Sequence, residues 1–170
     1  MSSRVLVSLR VRTTARRAFD VFVNDIGTWW RPNTLFWFTP RSPGSLALEP
    51  GLNGRMTESY PDGEIFEIGR ITAWEPGVKL AFTWREASFS PEQLTHVEVR
   101  FEPLGDETRV TVEHRGWDTV PQDHVARHGF PNAVFLRRQG EWWQVLLASI
   151  AQRLAEGAWR PEEAPHRESP

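Results

Sequence analysis

Hydrophobic side chains recur at helical spacing in one long segment near the end of the chain, Gln139–Gly157. The positions follow i, i+3, i+4, i+7 and i+11, which places them on one stripe of an α-helix. They are Trp143, Leu146, Leu147, Ile150 and Leu154. Gly157 is where a left-handed cap is expected, and Pro161 prevents continuation soon after. The segment predicts a long amphipathic helix, which starts as early as Asn132 if Gly140 is tolerated inside it.

The earlier part of the chain changes to a period of two, with apolar and polar residues in alternation, which is typical of strands with one buried face. The predicted strands are Val5–Val11, Asn53–Tyr60, Glu64–Trp74, Val78–Arg85, Leu94–Glu102 and Thr108–Gly116. Short turns rich in Pro and Gly separate most of them, so neighbours in sequence are expected to pair in an antiparallel meander.

Short helices and one long loop complete the pattern. A helix is predicted at Ala15–Val23, followed by a short turn that carries Ile26, Trp29 and Trp30. Prolines interrupt regular structure between Arg31 and Gly51, yet this loop contains Leu35, Phe36, Trp37 and Phe38. An apolar loop of this kind is either a plug on the core or a lid over a pocket. A further short helix is predicted between Pro121 and Gly129.

These elements predict an α+β fold in which a curved antiparallel sheet wraps around a long C-terminal helix, with two short helices after the first strand. A chain of 170 residues fits one domain. We assign residues 1–158 to that domain. Residues 159–170, rich in Pro and charge, are expected to form a disordered tail.

Composition narrows the classes of function. A net charge of −2 gives no electrostatic footprint for nucleic acid or an anionic membrane. The chain has no cysteine, which excludes disulfides and thiol catalysis. It also shows neither the apolar core of a signal peptide nor a transmembrane run, so we expect no membrane insertion and a cytoplasmic location. Nine tryptophans against one tyrosine indicate either an aromatic core or rings that line a cavity.

No strong catalytic, phosphate-binding or nucleotide-binding motif is present, and we expect no cofactor and no metal. His124 and His128 are four residues apart, a spacing that can bind a metal but that usually belongs to a solvated surface pair. His114 shares the strand face of Val110 and Val112. It is either held by hydrogen bonds to a carbonyl or a tryptophan, or acts as an acid-base or ligand-orienting group. Glu58 is a second polar candidate, although an exposed strand position is its simpler interpretation.

Three segments carry a resemblance to a known family. GRITAWEPGVKLAFTWRE, TRVTVEHRGWD and GEWWQVLLASIAQRL resemble, in this order, segments of the family related to the Hsp90 ATPase activator homologue. That family belongs to the START-like helix-grip (SRPBCC) superfamily, which includes polyketide cyclases. The resemblance implies a cavity, open at one end, between the sheet and the long helix. This chain departs from the family where Gly51 and Gly54 are separated, which indicates a bulge or a different strand start there.

The pattern and the resemblance together favour binding of a small hydrophobic or aromatic ligand in that cavity. The predicted lining residues are Trp30, Trp37, Glu58, Phe82, Trp84, His114, Trp143 and Leu147. The alternatives are a polyketide-cyclase-like enzyme that uses His114, and a chaperone-activator-like module that binds a protein partner. Of these hypotheses, catalysis is less favoured than binding. Formation of a homodimer is left open.

Overall fold

The computed structural model describes residues 4–158, which form one seven-stranded antiparallel sheet, three α-helices and two short 3-10 turns. The strands are β1 (Arg4–Val11), β2 (Ser45–Leu48), β3 (Arg55–Ser59), β4 (Ile65–Glu75), β5 (Lys79–Trp84), β6 (Thr95–Leu104) and β7 (Glu107–Arg115). The helices are α1 (Ala15–Asn24), α2 (Ile26–Trp29) and α3 (Asn132–Ala158). The predicted tail at 159–170 lies outside the described residues.

The sheet runs in the order β1-β7-β6-β5-β4-β3-β2, so every pair except β1–β7 joins strands that follow each other in sequence. It curls around α3, and the helix packs most extensively along β1. The predicted fold class and meander are therefore confirmed. No helix within residues 4–158 has both the length and the apolar character needed to cross a membrane.

Burial follows the predicted periodicities. All five residues of the helical stripe are at most 2% exposed. On β7, Val110, Val112 and His114 are each fully buried, while the intervening positions keep contact with solvent. In α1, the Thr14 side chain accepts a hydrogen bond from the Arg17 amide at 3.1 Å and caps the helix, whose buried face includes Phe19 and Phe22.

Three local predictions need correction, and a fourth, left open between a bulge and a different strand start, is resolved as a different start. β2 lies inside the segment that was predicted to be a loop, because its four residues stand between prolines and show only two buried positions. The predicted helix at 121–129 is replaced by a 3-10 turn at Val125–Arg127, and another 3-10 turn, Trp117–Thr119, precedes it. Helix α3 starts at Asn132, passes through Gly140 and does not end at Gly157. The separated glycines form a turn with positive φ at Gly51 and Asn53, and β3 begins after it.

Candidate ligand-binding site beneath the long helix

His114 lies on the inner face of β7 directly beneath α3 and is fully buried. Its Nδ1 accepts a hydrogen bond from the Trp143 indole N–H at 3.1 Å, and its Nε2 lies 2.8 Å from the Thr95 hydroxyl. Thr95 in turn donates its proton to the Trp84 carbonyl at 3.0 Å. Because that proton is committed, Thr95 accepts from His114, which therefore carries its proton on Nε2.

This arrangement holds the imidazole neutral. Burial, with a smaller contribution from the charge of His96, lowers the pKa of His114 to about 3. Both ring nitrogens are occupied by protein partners, so neither is free to exchange a proton with a bound molecule in this conformation. The structure thus shows the hydrogen bond to a tryptophan that the sequence offered as one interpretation of His114.

Four other predicted lining residues come together with His114 in what we call the inner wall, defined as Phe82, Trp84, His114, Trp143 and Leu147. Each is at most 1% exposed, so the inner wall is closed to solvent in this conformation. The Trp84 ring centroid lies 4.8 Å from that of His114 and 6.0 Å from that of Trp143. A ligand could contact the inner wall only if some of these rings moved apart, and the lining role of its residues stays a prediction.

Trp30 connects the inner wall to the opening of the fold. Its ring lies 5.9 Å from that of Trp84 and meets Trp142 and Trp143 edge-on. The side chain is 8% exposed. Trp37, in contrast, is 39% exposed and belongs to the segment between α2 and β2. We call this segment, residues 31–44, the mouth loop.

Glu58 is buried on β3, so the prediction that it is an exposed strand residue is wrong. Its Oε1 accepts hydrogen bonds from the Ser42 hydroxyl and the Tyr60 phenol, each at 2.5 Å. Burial and the bond to Glu58 raise the pKa of Tyr60. Glu58 does not pair with His114, and Arg55 instead binds Glu49 at 3.0 Å. The carboxylate therefore ties the mouth loop to β3.

A small cavity of about 50 Å³ lies between the mouth loop and α3. Its lining includes Trp30, Phe36, Trp37, Phe38, Ser42, Glu58 and Trp142. Phe36 stacks on Trp142 with centroids 5.1 Å apart, and the Trp142 indole donates to the Arg31 carbonyl at 2.8 Å. The cavity can hold a few water molecules or one small chemical group. Of the predicted lining residues, Trp30, Trp37 and Glu58 meet here.

Gln139 is the most unusual residue of this region, and it was not among the predicted site residues. It is fully buried, and neither its amide oxygen nor its amide nitrogen has a hydrogen-bond partner among the described residues. The indole N–H groups of Trp84 and Trp117 are also buried and unpaired. Gln139 precedes Trp143 by four residues, so helical spacing places both on one face. That spacing was the signal that could have identified it as an inward polar residue.

The two histidines considered as a metal pair have other partners. His124 Nδ1 accepts from the Ala126 amide at 3.0 Å, and its Nε2 lies 3.1 Å from the Ser88 carbonyl. His128 Nε2 contacts the Leu35 carbonyl. In the part of the chain that the structure describes, no group of three or more acidic or histidine side chains is arranged to hold a metal ion.

Residues 12–155 match the family described as activator of Hsp90 ATPase homolog 1-like protein. The chain belongs to this family. The match covers most of the chain and includes the three segments that carried the resemblance, so the predicted membership is confirmed. No match was found among curated protein sequences.

Solved structures show the same fold for this activator-homolog-like chain. Protein MLL2253 from Mesorhizobium loti aligns with a TM-score of 0.63 and 17% identity, covering 90% of this chain and 97% of that one. An HSP90 activator from Plasmodium falciparum aligns with a TM-score of 0.62 and 15% identity, over 89% and 96%. The anthrahydroquino-gamma-pyrone synthase Txn09 aligns with a TM-score of 0.51 and 26% identity, over 88% and 95%.

Proposed function

We propose that the protein binds a small aromatic molecule that carries carbonyl or hydroxyl oxygens, between the sheet and the first half of α3. The molecule would enter at the mouth loop and reach the inner wall by displacing aromatic rings. The observation that carries the proposal is the fully buried and unpaired amide of Gln139.

Unpaired buried polar groups are rare in folded proteins, because leaving such a group without a partner costs about 1–3 kcal/mol. Three such groups occur here: the indoles of Trp84 and Trp117, whose rings surround His114, and the amide of Gln139, one helical turn before Trp143. The Trp84 and Trp117 rings both pack on His114, at 4.8 Å and 5.3 Å. A planar ligand with oxygen atoms would accept from the indole and amide N–H groups while its rings stack on the surrounding aromatic side chains.

The region around the mouth loop supports access of the ligand from solvent. The cavity of about 50 Å³ is bordered by the mouth loop, Trp142 and Trp30, and Trp30 touches the inner wall directly. Glu58 supplies a hydrogen-bond acceptor at this opening, since both of its hydroxyl partners contact Oε1. Rotation of Trp30 or withdrawal of Phe36 would join the cavity to the inner wall.

The similarity to Txn09 supports the chemical class. That protein is a synthase of an anthrahydroquino-gamma-pyrone, and the two chains align over nearly their full lengths. An oxygenated polycyclic aromatic molecule matches the aromatic lining and the unpaired donors of this chain.

The test compares 2-acetylnaphthalene with 2-ethylnaphthalene, which differ by one carbonyl oxygen. The full-length protein is expected to bind the ketone about 10-fold more tightly, because the hydrocarbon leaves the buried donors unpaired. Calorimetry gives the affinities. The Nε1–H resonances of Trp84 and Trp117 should move on addition of the ketone.

Gln139→Leu provides the decisive variant, and Gln144→Leu, at an exposed position of the same helix, is its matched control. We expect Gln139→Leu to remove most of the preference for the ketone and Gln144→Leu to leave it intact. Absence of binding by the wild-type protein, or an unchanged preference in Gln139→Leu, would refute the proposal.

A polyketide-cyclase-like reaction is the second candidate, and the alignment with Txn09 is what favours it. His114 could serve such a reaction only after Trp143 or Thr95 releases one of its ring nitrogens. Turnover of a linear poly-β-ketone by the wild-type protein and its loss in His114→Gln would support this candidate. A chaperone-activating role rests on the family description alone, and stimulation of a chaperone ATPase is its test.

A further inference from the structure

A second cleft, of about 250 Å³, lies on the surface beside the mouth loop. We call it the outer cleft. Leu35, Trp37 and Phe38 of the mouth loop form one wall, and Val125 and Ala126 of the second 3-10 turn form another. Trp37 is 39% exposed and Val125 is 70% exposed, so two large apolar side chains face solvent at one place. Such a grouping is typical of a binding surface.

Backbone contacts hold the walls of the outer cleft in position. The Ala87 amide donates to the Phe38 carbonyl at 2.7 Å and joins the mouth loop to the segment after β5. His128 contacts the Leu35 carbonyl, and His124 lies 3.1 Å from the Ser88 carbonyl. Each wall is thereby tied to another element, and the cleft is present before any ligand arrives.

Glu86 is the acidic residue that lines this cleft, and it has no partner. It is 5% exposed, its Oε2 is buried without a hydrogen bond, and it forms none of the ion pairs of residues 4–158. Burial raises the pKa of its carboxyl to about 8. Among residues 4–158, the one other titratable side chain that lines the cleft is His128, which is exposed and turned to the Leu35 carbonyl.

We propose that the outer cleft is a binding site for a small amphiphilic amine, with its apolar body against Trp37 and Val125 and its ammonium group on Glu86. This site differs from the one under α3 in its polar group and in most of its lining, although Trp37 and Phe38 border both.

The chemistry of the carboxyl selects the amine. A buried carboxyl without a counter-ion is uncharged at neutral pH, because solvation of the anion has been lost. An ammonium group restores a counter-charge, so Glu86 releases its proton and forms a charge-assisted hydrogen bond. A neutral alcohol of the same shape gains only an ordinary hydrogen bond. The site therefore discriminates by charge, while the apolar walls set the size of the ligand.

The experiment uses 3-phenylpropylamine and 3-phenylpropan-1-ol as probes of the full-length protein at pH 8. We expect the amine to bind about 10-fold more tightly than the alcohol, as charge-assisted bonds exceed neutral ones. Glu86→Gln should reduce affinity for the amine about 10-fold and change that for the alcohol less than about 2-fold. Glu92→Gln, at an exposed position in the same loop, is the matched control and should change neither.

The pH dependence gives a second readout. Below pH 8 the amine must displace the proton of Glu86, so its affinity for the wild-type protein should rise by up to about 10-fold per pH unit between pH 6 and pH 8. Glu86→Gln should remove this slope, and a slope that persists in this variant would contradict the role of Glu86.

Three results would overturn the proposal: equal affinities for amine and alcohol, unchanged affinity in Glu86→Gln, or amide shifts at Trp30 and Trp142 in place of Val125 and Ala126. The last of these would assign the amine to the site under α3. Failure here leaves the ketone experiment untouched, since that test uses different probes and a different variant.

Discussion

His114 and Glu86 are both titratable and both buried, yet the fold treats them in opposite ways. His114 has a protein partner on each ring nitrogen, one from α3 and one from β6. The Oε2 atom of Glu86 is buried without a hydrogen-bond partner among residues 4–158. Burial shifts the pKa of each group toward its neutral form, downward for the base and upward for the acid. The two residues differ in hydrogen-bond pairing. The paired His114 links α3 to the sheet, whereas the unpaired Glu86 is available to a ligand.

The same distinction applies to the polar groups beneath α3. His114 and the Trp143 N–H are paired, whereas the neighbouring Gln139 amide and the Trp84 N–H are not. A fold that needed only an aromatic core would place a leucine at 139, since an unpaired amide opposes folding. Pairing therefore identifies which polar residues beneath α3 serve stability and which oppose it.

The largest effect should come from His114→Ala. This change leaves a cavity, removes the partner of Trp143 and frees Thr95, and we expect it to lower the free energy of unfolding by about 3–4 kcal/mol. Urea denaturation measures the change. The control is His96→Ala, on the same sheet but only partly buried, which should cost less than about 1 kcal/mol. Equal losses in the two variants would contradict the role of His114 as a link between α3 and the sheet.

His114 also makes the stability of the fold depend on pH in a defined direction. Its folded pKa is about 3 and its ordinary value is 6.5, so the unfolded chain binds the proton more readily. The stabilisation is complete above about pH 6.5 and is lost as the pH falls toward 3. Across this window the unfolding free energy of the wild-type protein should decline with acid more steeply than that of His114→Gln. Parallel profiles would show that His114 is not held neutral.

Glu86→Leu should change stability in the opposite direction. The folded pKa of about 8 lies above the ordinary 4.5, so the carboxyl favours the folded state below pH 4.5 and loses that contribution as the pH rises through 8. Leucine removes the ionisable group, and we expect a gain of about 2 kcal/mol at pH 9. The gain should be smaller at pH 5. Thermal denaturation at both pH values checks this, and a loss at pH 9 would mean that Glu86 has a stabilising partner.

The fold was predictable because each element has its own hydrophobic period. Alternation identified all strands except β2, and the stripe of α3 indicated which of its residues are buried. β2 was missed because four residues between prolines carry only two alternations. Gly140 argued for a later helix start, but the contacts of α3 along β1 outweigh its poor helix propensity.

The site was predictable only in part, for a physical reason. Periodicity tells that Trp84, His114 and Trp143 point inward, but it does not tell whether rings from opposite elements meet and fill the space. The burial of Glu58 depends on Ser42 and Tyr60, which reach it from the mouth loop and the end of β3. No local pattern encodes such a contact. Gln139 was within reach of sequence reasoning, since it lies on the stripe of Trp143.

The smallest of these stability changes should come from Gln139→Leu, which most directly tests the distinction between paired and unpaired polar groups beneath α3. Replacing an unpaired buried amide by an apolar side chain of similar size should raise the unfolding free energy by about 1 kcal/mol. Gln144→Leu, which changes the same residue type at an exposed position, should stay within about 0.5 kcal/mol of the wild type. A gain in stability together with a loss of ketone binding in Gln139→Leu would mean that this residue is kept for the ligand at the expense of the fold. A loss of stability would instead mean that the amide is paired in solution. Gln139 would then stabilise the fold, as His114 does.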